Sequence, residues 1–318
     1  MIVLLGANGH IGSAFARELR GRGEPIIPLT REGLDFSRFE VLFDYLRRVK
    51  PDLLINATSY PAFPLEGGCE FEGIETLRPE PVSPQTVAKA CLLTKTPWAH
   101  VASGSVYSGA KIFDNAKLRI VTDVTRPEVL SAYAAHPDNF LGFTEKDAPN
   151  FKPQNGQAAA LNLGATQDTA YIWRFRMTFS ADWEPWNLLW QLHHASHVHD
   201  AINSVSHLGD CVRACLDLWE RRAPYGVYNV TNPGPITHQQ ILSEIHRTAK
   251  PRARCRGPIG PEMVQPPSPP VRSNCILDAS KLMWTGVKIR PAMEALRHAL
   301  KHAPGTRATN ITRVVFSK

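Results

Sequence analysis

The sequence predicts an α/β fold, a doubly wound parallel sheet with a smaller C-terminal region, and three observations predict it. Short apolar runs alternate with amphipathic stretches in the strand-helix-strand order of a parallel sheet. The first apolar run breaks into three regularly spaced glycines just before a helix pattern. After residue 175 the alternation loses regularity and gives way to Trp-rich, His-rich and Pro-rich stretches.

The first element is the most informative. Residues 1–12 read MIVLLGANGHIG, so 2–5 predict a strand, Gly6, Gly9 and Gly12 a tight turn, and 13–22 a helix. Gly6 permits the turn, Gly9 lets the backbone approach a pyrophosphate, Gly12 packs helix on strand, and the helix start favours an anion. Asn8, His10 and Ile11 complete this Rossmann-type turn. Further strands are expected at 25–28, 53–56, 100–102, 170–174 and 227–230. Helices are expected at 39–49, 86–95, 155–164, 208–222, 239–248 and 291–301. Residues 1–175 therefore form the dinucleotide-binding domain, with 109–139 an inserted loop or lid of weak periodicity. Residues 176–318 form mainly a substrate-binding region, with 200–230 returning to the sheet.

Composition narrows the class. The chain has 318 residues, 43% hydrophobic and 20% charged, enough for a large core and about two structural units. No apolar stretch reaches the roughly 18 residues of a membrane helix, and Met1 runs directly into a strand, so a cytoplasmic location without a signal peptide is expected. Six scattered cysteines without a CxxC pair read as reduced residues, and no metal is implied. The net charge of +7 is spread among acids, without the basic face of a nucleic-acid binder. The expected partner is an anionic small molecule.

After the second strand the chain reads PLTREGLDFS. Arg31 is placed to pair with a ribose 2′-phosphate, which favours NADP(H) and leaves NAD(H) open; a solvated surface arginine is the alternative. Asp35 and Phe36 are candidates to flank the adenine, and Ser37 either joins them or caps the next helix.

Eight segments in order carry a family resemblance: GANGHIG, PDLLINATS, CEFEGIETLR, VASGSVYSG, GFTEKDAPNF, WRFRMTFS, YGVYNVTNPGPITHQQI and RSNCILDASKL. In these the chain resembles the extended short-chain dehydrogenase/reductases, and among them dTDP-4-dehydrorhamnose reductase and the plant enzyme that epimerises and reduces UDP-4-keto-6-deoxyglucose. The resemblance implies a nucleotide-sugar substrate. It implies that Gly6, Gly9, His10, Ile11 and Gly12 hold a diphosphate and that Asn56, Ala57 and Thr58 run beside the cofactor. It further implies that Ser103 meets the sugar C4 oxygen, that Thr178 and His193 line the sugar pocket, and that Asn232, Arg272 and Asn274 grip the nucleotide, Arg272 being otherwise a surface residue.

The departures from the family carry equal weight. Its catalytic tyrosine and lysine positions are Gly156 and Ala160 here, and the window 151–164 contains no tyrosine and only Lys152 as a lysine. General acid catalysis contributes typically 10²- to 10⁴-fold, so the usual hydride-transfer route loses its proton donor. The plant epimerase cysteine is Ser105, its lysine falls near Gln191, and a cofactor-side asparagine is Glu80. Tyr107 and Lys111 have the right spacing but follow a strand, and Tyr107 remains a weak candidate acid. His193, His194, His197 and His199 offer imidazoles that titrate near neutrality, with His193 and His197 on one face if helical.

Two classes follow. One is an NADP(H)-dependent enzyme of 4-keto-6-deoxy sugar nucleotides with a non-standard active site, or one performing a non-redox step on another small molecule. The other is a catalytically inactive relative that serves by binding, as the regulatory β subunit of methionine adenosyltransferase does; a homodimer or protein partner stays open.

Overall fold

The computed structural model describes residues 1–58, 83–114, 117–151, 169–195, 198–248 and 273–303. Numbered along the chain, the strands of the central sheet are β1 (Ile2–Leu5), β2 (Ile26–Leu29), β3 (Leu53–Asn56), β4 (Trp98–Ser103), β8 (Ala170–Phe175) and β11 (Gly226–Asn229). The described helices are α1 (His10–Gly21), α2 (Phe39–Val49), α3 (Pro84–Thr94), α4 (Pro127–Ala135), α5 (Leu188–His194), α6 (Leu208–Glu220), α7 (His238–Thr248), α8 (Ser280–Trp284) and α9 (Ala292–His302).

The six central strands are all parallel, in the order β11-β8-β4-β3-β1-β2. All four residues of β1 and of β3 are buried, as expected of strands covered on both faces. On one face α1 and α6 pack Phe15, Leu19, Leu208, Val212 and Leu216 against Trp173 and Tyr171. On the other, α2 and α3 pack Leu42, Leu46, Val87 and Cys91 against Trp98 and Val3. Phe15 stacks on Trp173 with ring centroids 5.7 Å apart; burying each such side chain stabilises by roughly 1.5–3 kcal/mol. The sheet is therefore doubly wound, and the chain leaves β1 in one direction for β2 and in the other for β3. That switch point between β1 and β3 is where ligands bind in open α/β sheets.

Two smaller sheets flank the centre. Strands β9 (Thr178–Phe179), β10 (Ile202–His207) and β12 (Asn232–Thr237) form one, covered by α5, α7 and α9 through Leu189, Ile241, Ile245 and Leu296. Residues 200–230 thus divide: β10 belongs to this second sheet, while α6 and β11 alone rejoin the central one. Strands β5 (Ala110–Asp114), β6 (Lys117–Val121) and β7 (Phe140–Leu141) form an antiparallel sheet whose buried face packs on α4. Where weak periodicity suggests a loop or lid over 109–139, the chain folds into this small αβ unit. Alternation was its only signal, with Ala110 and Ile112 buried and Phe113 exposed.

Among the described residues, no helix is long and apolar enough to cross a membrane.

Candidate functional site

The carboxyl ends of the parallel strands β1, β3 and β4 lie along one edge of the sheet, where a ligand crevice is expected in this fold. Gly6 follows β1 at φ +73°, a left-handed conformation that favours glycine. Its amide donates to Leu29 O at 3.1 Å, and its carbonyl accepts from the Gly9 amide at 3.0 Å. A Cβ on Gly12 would lie 2.0 Å from the Gly6 oxygen, and one on Gly9 would lie 3.3 Å from it. The turn and the first turn of α1 are therefore in direct backbone contact. Gly9 caps α1 in an extended conformation without a side-chain hydrogen bond, and no acid sits in the first turn. The helix dipole and its free amides are left for an anion.

Thr58 lies across Gly6, 3.0–3.1 Å from where a Cβ would be. It is fixed by Asn56, whose Oδ1 accepts from the Thr58 amide at 3.1 Å and its hydroxyl at 2.5 Å. The Asn56 Nδ2 is buried without a partner. A closely packed glycine turn, an uncapped helix start and an orphaned amide donor at the switch point fit a dinucleotide. His10 opens α1 with its Nε2 buried and unpartnered. Burial pushes it down to about 4, beyond the opposing pull of Asp182, so its ring is neutral. Its ring lies 6.2 Å from Trp186, in a loop tied to α1 by the 3.2 Å ion pair of Arg17 and Asp182.

At the end of β2 the outcome is mixed. Asp35 is exposed and accepts from the Ser37 amide at 3.3 Å and from its hydroxyl, and the Ser37 hydroxyl together with Arg38 and Arg31 holds its carboxyl below the ordinary range. Arg31 and Asp35 are thus electrostatic neighbours on the rim. Phe36 is only 1% exposed and packs into the α2–α3 core, so it does not flank an adenine. Arg38, not Ser37, is the N-cap of α2.

Beyond the end of β4, segments far apart in sequence form one hydrogen-bonded cluster. The stretch from Ser273 to Asp278 is clamped on one side by Gly109 and Phe143, through Gly109 N to Asn274 O at 2.7 Å and Phe143 N to Ile276 O at 2.8 Å. On its other side β10 holds it, through Ser204 N to Cys275 O at 2.9 Å and Cys275 N to Asn203 Oδ1 at 3.1 Å. This brings Asn274 to Asn203, whose Nδ2 donates to it at 2.9 Å. Arg176, just past β8, reaches into the same cluster. Its Nη1 donates to Ser105 Oγ at 2.9 Å, and its Nη2 donates to Asn203 Oδ1 at 2.9 Å and to Ser273 O. Ser105 in turn donates its amide to Ser103 Oγ at 3.1 Å. The structure therefore joins the expected Ser103, Ser105 and Asn274 with Arg176, Asn203 and Ser273, to which the sequence assigned no role.

Other expected residues fall elsewhere. Tyr107 is fully buried, stacked on Phe143 with centroids 4.8 Å apart. Its hydroxyl donates to Asp147 O at 2.9 Å and accepts from Arg174 Nη1 at 3.0 Å, and burial raises its pKa. It is a packing residue, not an acid facing the crevice, and Lys111 pairs with Asp147 at 2.7 Å instead. Asn232 is 1% exposed with its amide fully engaged: Nδ2 donates to Asp210 at 3.2 Å and Arg290 O at 2.9 Å, and Oδ1 accepts from His207 N at 2.6 Å. It braces the fold and has no donor left for a nucleotide. Thr178 is half-buried in β9. His193 sits in a ring cluster with Trp183 at 5.5 Å and His194 at 4.8 Å, its pKa lowered by burial and then by His194. Gly156, Ala160, Lys152, Glu80, His197 and Arg272 lie outside the described residues.

Fold and switch-point turn define a Rossmann-type α/β protein. Residues 1–135 match the family described as the RmlD substrate binding domain. Over 299 residues the chain is 25% identical to the bifunctional dTDP-4-dehydrorhamnose 3,5-epimerase/dTDP-4-dehydrorhamnose reductase of Arabidopsis thaliana, covering 92% of this chain and 90% of that one. Its fold is similar to the L780 UDP-rhamnose synthase of Acanthamoeba polyphaga mimivirus, at a TM-score of 0.70 and 18% identity, over 95% of this chain and 98% of that one. It is also similar to dTDP-4-dehydrorhamnose reductase of Bacillus anthracis in complex with NADP, at a TM-score of 0.62 and 17% identity, over 93% and 96% of the two chains. In sequence and in fold the chain is therefore similar to proteins of the dTDP-4-dehydrorhamnose reductase kind, as the eight sequence segments imply.

Proposed function

We propose that this chain binds NADP(H) at the Gly6–Gly12 turn and a nucleotide-linked 4-keto-6-deoxy sugar above Ser103, as a reductase or epimerase with a non-standard active site. One observation carries the reading: the glycine turn at the β1–β3 switch point is packed so tightly that a Gly12 Cβ would stand 2.0 Å from the Gly6 oxygen. The names of its relatives, among them a reductase complexed with NADP, support the choice of cofactor and substrate. The amides at the start of α1 would hold the diphosphate, Arg31 a 2′-phosphate, and Asn56 and Thr58 the cofactor's flank. When bound, the cofactor supplies or accepts hydride. Ser103 would orient the sugar carbonyl, and Asn274, held by Asn203, would meet the nucleotide.

The absence of a tyrosine from 151–164 favours a second reading, an inactive relative that acts by binding. Incubating the full chain with NADPH and a panel of dTDP- and UDP-4-keto-6-deoxy sugars separates the two. Product from any of them supports the enzyme; no product, with a stable complex formed with another protein, supports the binding subunit.

A further inference from the structure

Arg176 is a buried charged group for which packing offers no reason. Only 7% of its surface is exposed, and its three side-chain hydrogen bonds all go to neutral acceptors: Ser105 Oγ, Asn203 Oδ1 and Ser273 O. Among the described residues no carboxylate pairs with it, and its Nε is buried without a partner. Burying an uncompensated cation costs several kcal/mol. A bridge between β4, β10 and the Ser273–Cys275 stretch needs no charge, so the charge has another use.

The hydroxyl next to it shows what that use is. Ser105 Oγ accepts from the guanidinium, and Ser103 Oγ accepts from the Ser105 amide. Both serines are half-buried at the end of β4, and among the described residues neither donates its own hydroxyl proton to any acceptor. A hydroxyl that accepts a charge-assisted hydrogen bond is polarised into a stronger donor. The polarised Ser105 proton and the uncommitted Ser103 proton belong to one turn, and a group suited to accept both is a carbonyl oxygen gaining negative charge.

We infer that Ser103 and Ser105 together form a two-donor seat for the ketone oxygen of a sugar nucleotide, with Arg176 as the positioning residue that aligns and polarises Ser105. This rests on the nucleotide-sugar reading above and adds to it a specificity: the seat prefers a keto sugar to the corresponding hydroxy sugar, because two donors aimed at one oxygen match a carbonyl or an oxyanion. It stabilises developing charge in a site without the family's tyrosine, and requires no proton from Arg176.

The test uses the full chain loaded with NADP⁺, which forms a dead-end complex with a ketone, and calorimetric titration with UDP-4-keto-6-deoxyglucose, UDP-rhamnose and UDP, or their dTDP counterparts. Wild type is expected to bind the keto sugar more tightly than the hydroxy sugar. Ser105→Ala is expected to weaken keto-sugar binding about tenfold and to leave UDP binding unchanged, the scale of a lost hydrogen bond to a charge-polarised group. Arg176→Met is expected to reproduce that loss and Arg176→Lys to recover part of it. Where turnover is measurable, kcat of Ser105→Ala falls about a hundredfold with NADPH affinity unchanged. Melting curves accompany each variant; Ser105→Ala removes one oxygen from a half-buried side chain and carries the test if Arg176→Met does not fold. Unchanged keto-sugar binding in Ser105→Ala overturns the inference, as does loss of UDP binding in Arg176→Met alone, which would assign the guanidinium to the diphosphate. Failure of wild type to bind any of the nucleotides overturns the nucleotide-sugar reading itself.

Discussion

Gly12→Ala is the sharpest perturbation of the cofactor site, because its effect is fixed by geometry. The new methyl would lie 2.0 Å from the Gly6 oxygen and 2.8 Å from the Gly6 carbonyl carbon, both backbone atoms. Ordinary contact begins near about 3.4 Å, so α1 and the turn must separate by about 1.4 Å, and overpacking of this kind costs roughly 1–3 kcal/mol. The turn amides and the start of α1 then no longer converge on one anion. The expected result is a fall in NADPH affinity of at least tenfold, read by fluorescence titration, with a lowered melting temperature. Gly9→Ala is a graded control, since its Cβ would sit 3.3 Å from the same oxygen and needs a shift of only a few tenths of an ångström. Gly21→Ala, at the end of α1 with nothing within 4 Å of its Cβ, should leave binding intact and stabilise by about 0.4–1 kcal/mol. Wild-type NADPH affinity in a folded Gly12→Ala would refute the assignment of the turn.

Three further substitutions have defined outcomes. Tyr107→Phe should lower stability by about 1 kcal/mol in chemical denaturation while leaving any turnover within about twofold, because its hydroxyl is tied to Asp147 O and Arg174; abolished turnover would restore it as the acid. Asp210 is 5% exposed, and although burial raises its pKa, His207 and Arg290 outweigh that and hold it far below the ordinary carboxylate range. A depressed folded pKa means its contribution is present above pH about 4 and lost as pH falls further. Asp210→Asn should therefore destabilise by about 2–4 kcal/mol at neutral pH, below the fully buried case because Arg213 is half exposed. Melting curves should show less difference from wild type in acid, and a constant difference down to pH about 2 would contradict the linkage. Arg31→Ala should weaken NADPH about tenfold and NADH little, by loss of one charge-assisted bond; equal loss of both would remove its role in 2′-phosphate recognition.

Much of the central sheet was legible because its strands are continuous apolar runs. β1, β3 and α2 fall where the sequence places them, and β4 extends two residues earlier and one later than 100–102. The strand β10 was hidden for a physical reason: INSVSH is buried throughout but largely polar, and Asn203, Ser204 and Ser206 satisfy their polar groups with residues 24–73 positions away. Arg176 was unreadable for the same cause, since its partners Ser105, Asn203 and Ser273 lie 71, 27 and 97 residues distant. Phe36 misled because a lone aromatic beside a cofactor strand gives no sign of which way it points; it joins the core. Asn232 likewise resembles a ligand-gripping residue until the demands of Asp210, His207 and Arg290 on its amide are seen.

The central claim is that an intact dinucleotide cradle stands beside a keto-sugar seat that lacks the family's tyrosine and lysine. Titrating the full chain with NADPH and then adding UDP- or dTDP-4-keto-6-deoxyglucose, while following cofactor fluorescence, tests it most directly. The account predicts saturable NADPH binding and a further change on adding the keto sugar that UDP alone does not produce. No NADPH binding, or an identical response to UDP and the keto sugar, would contradict it.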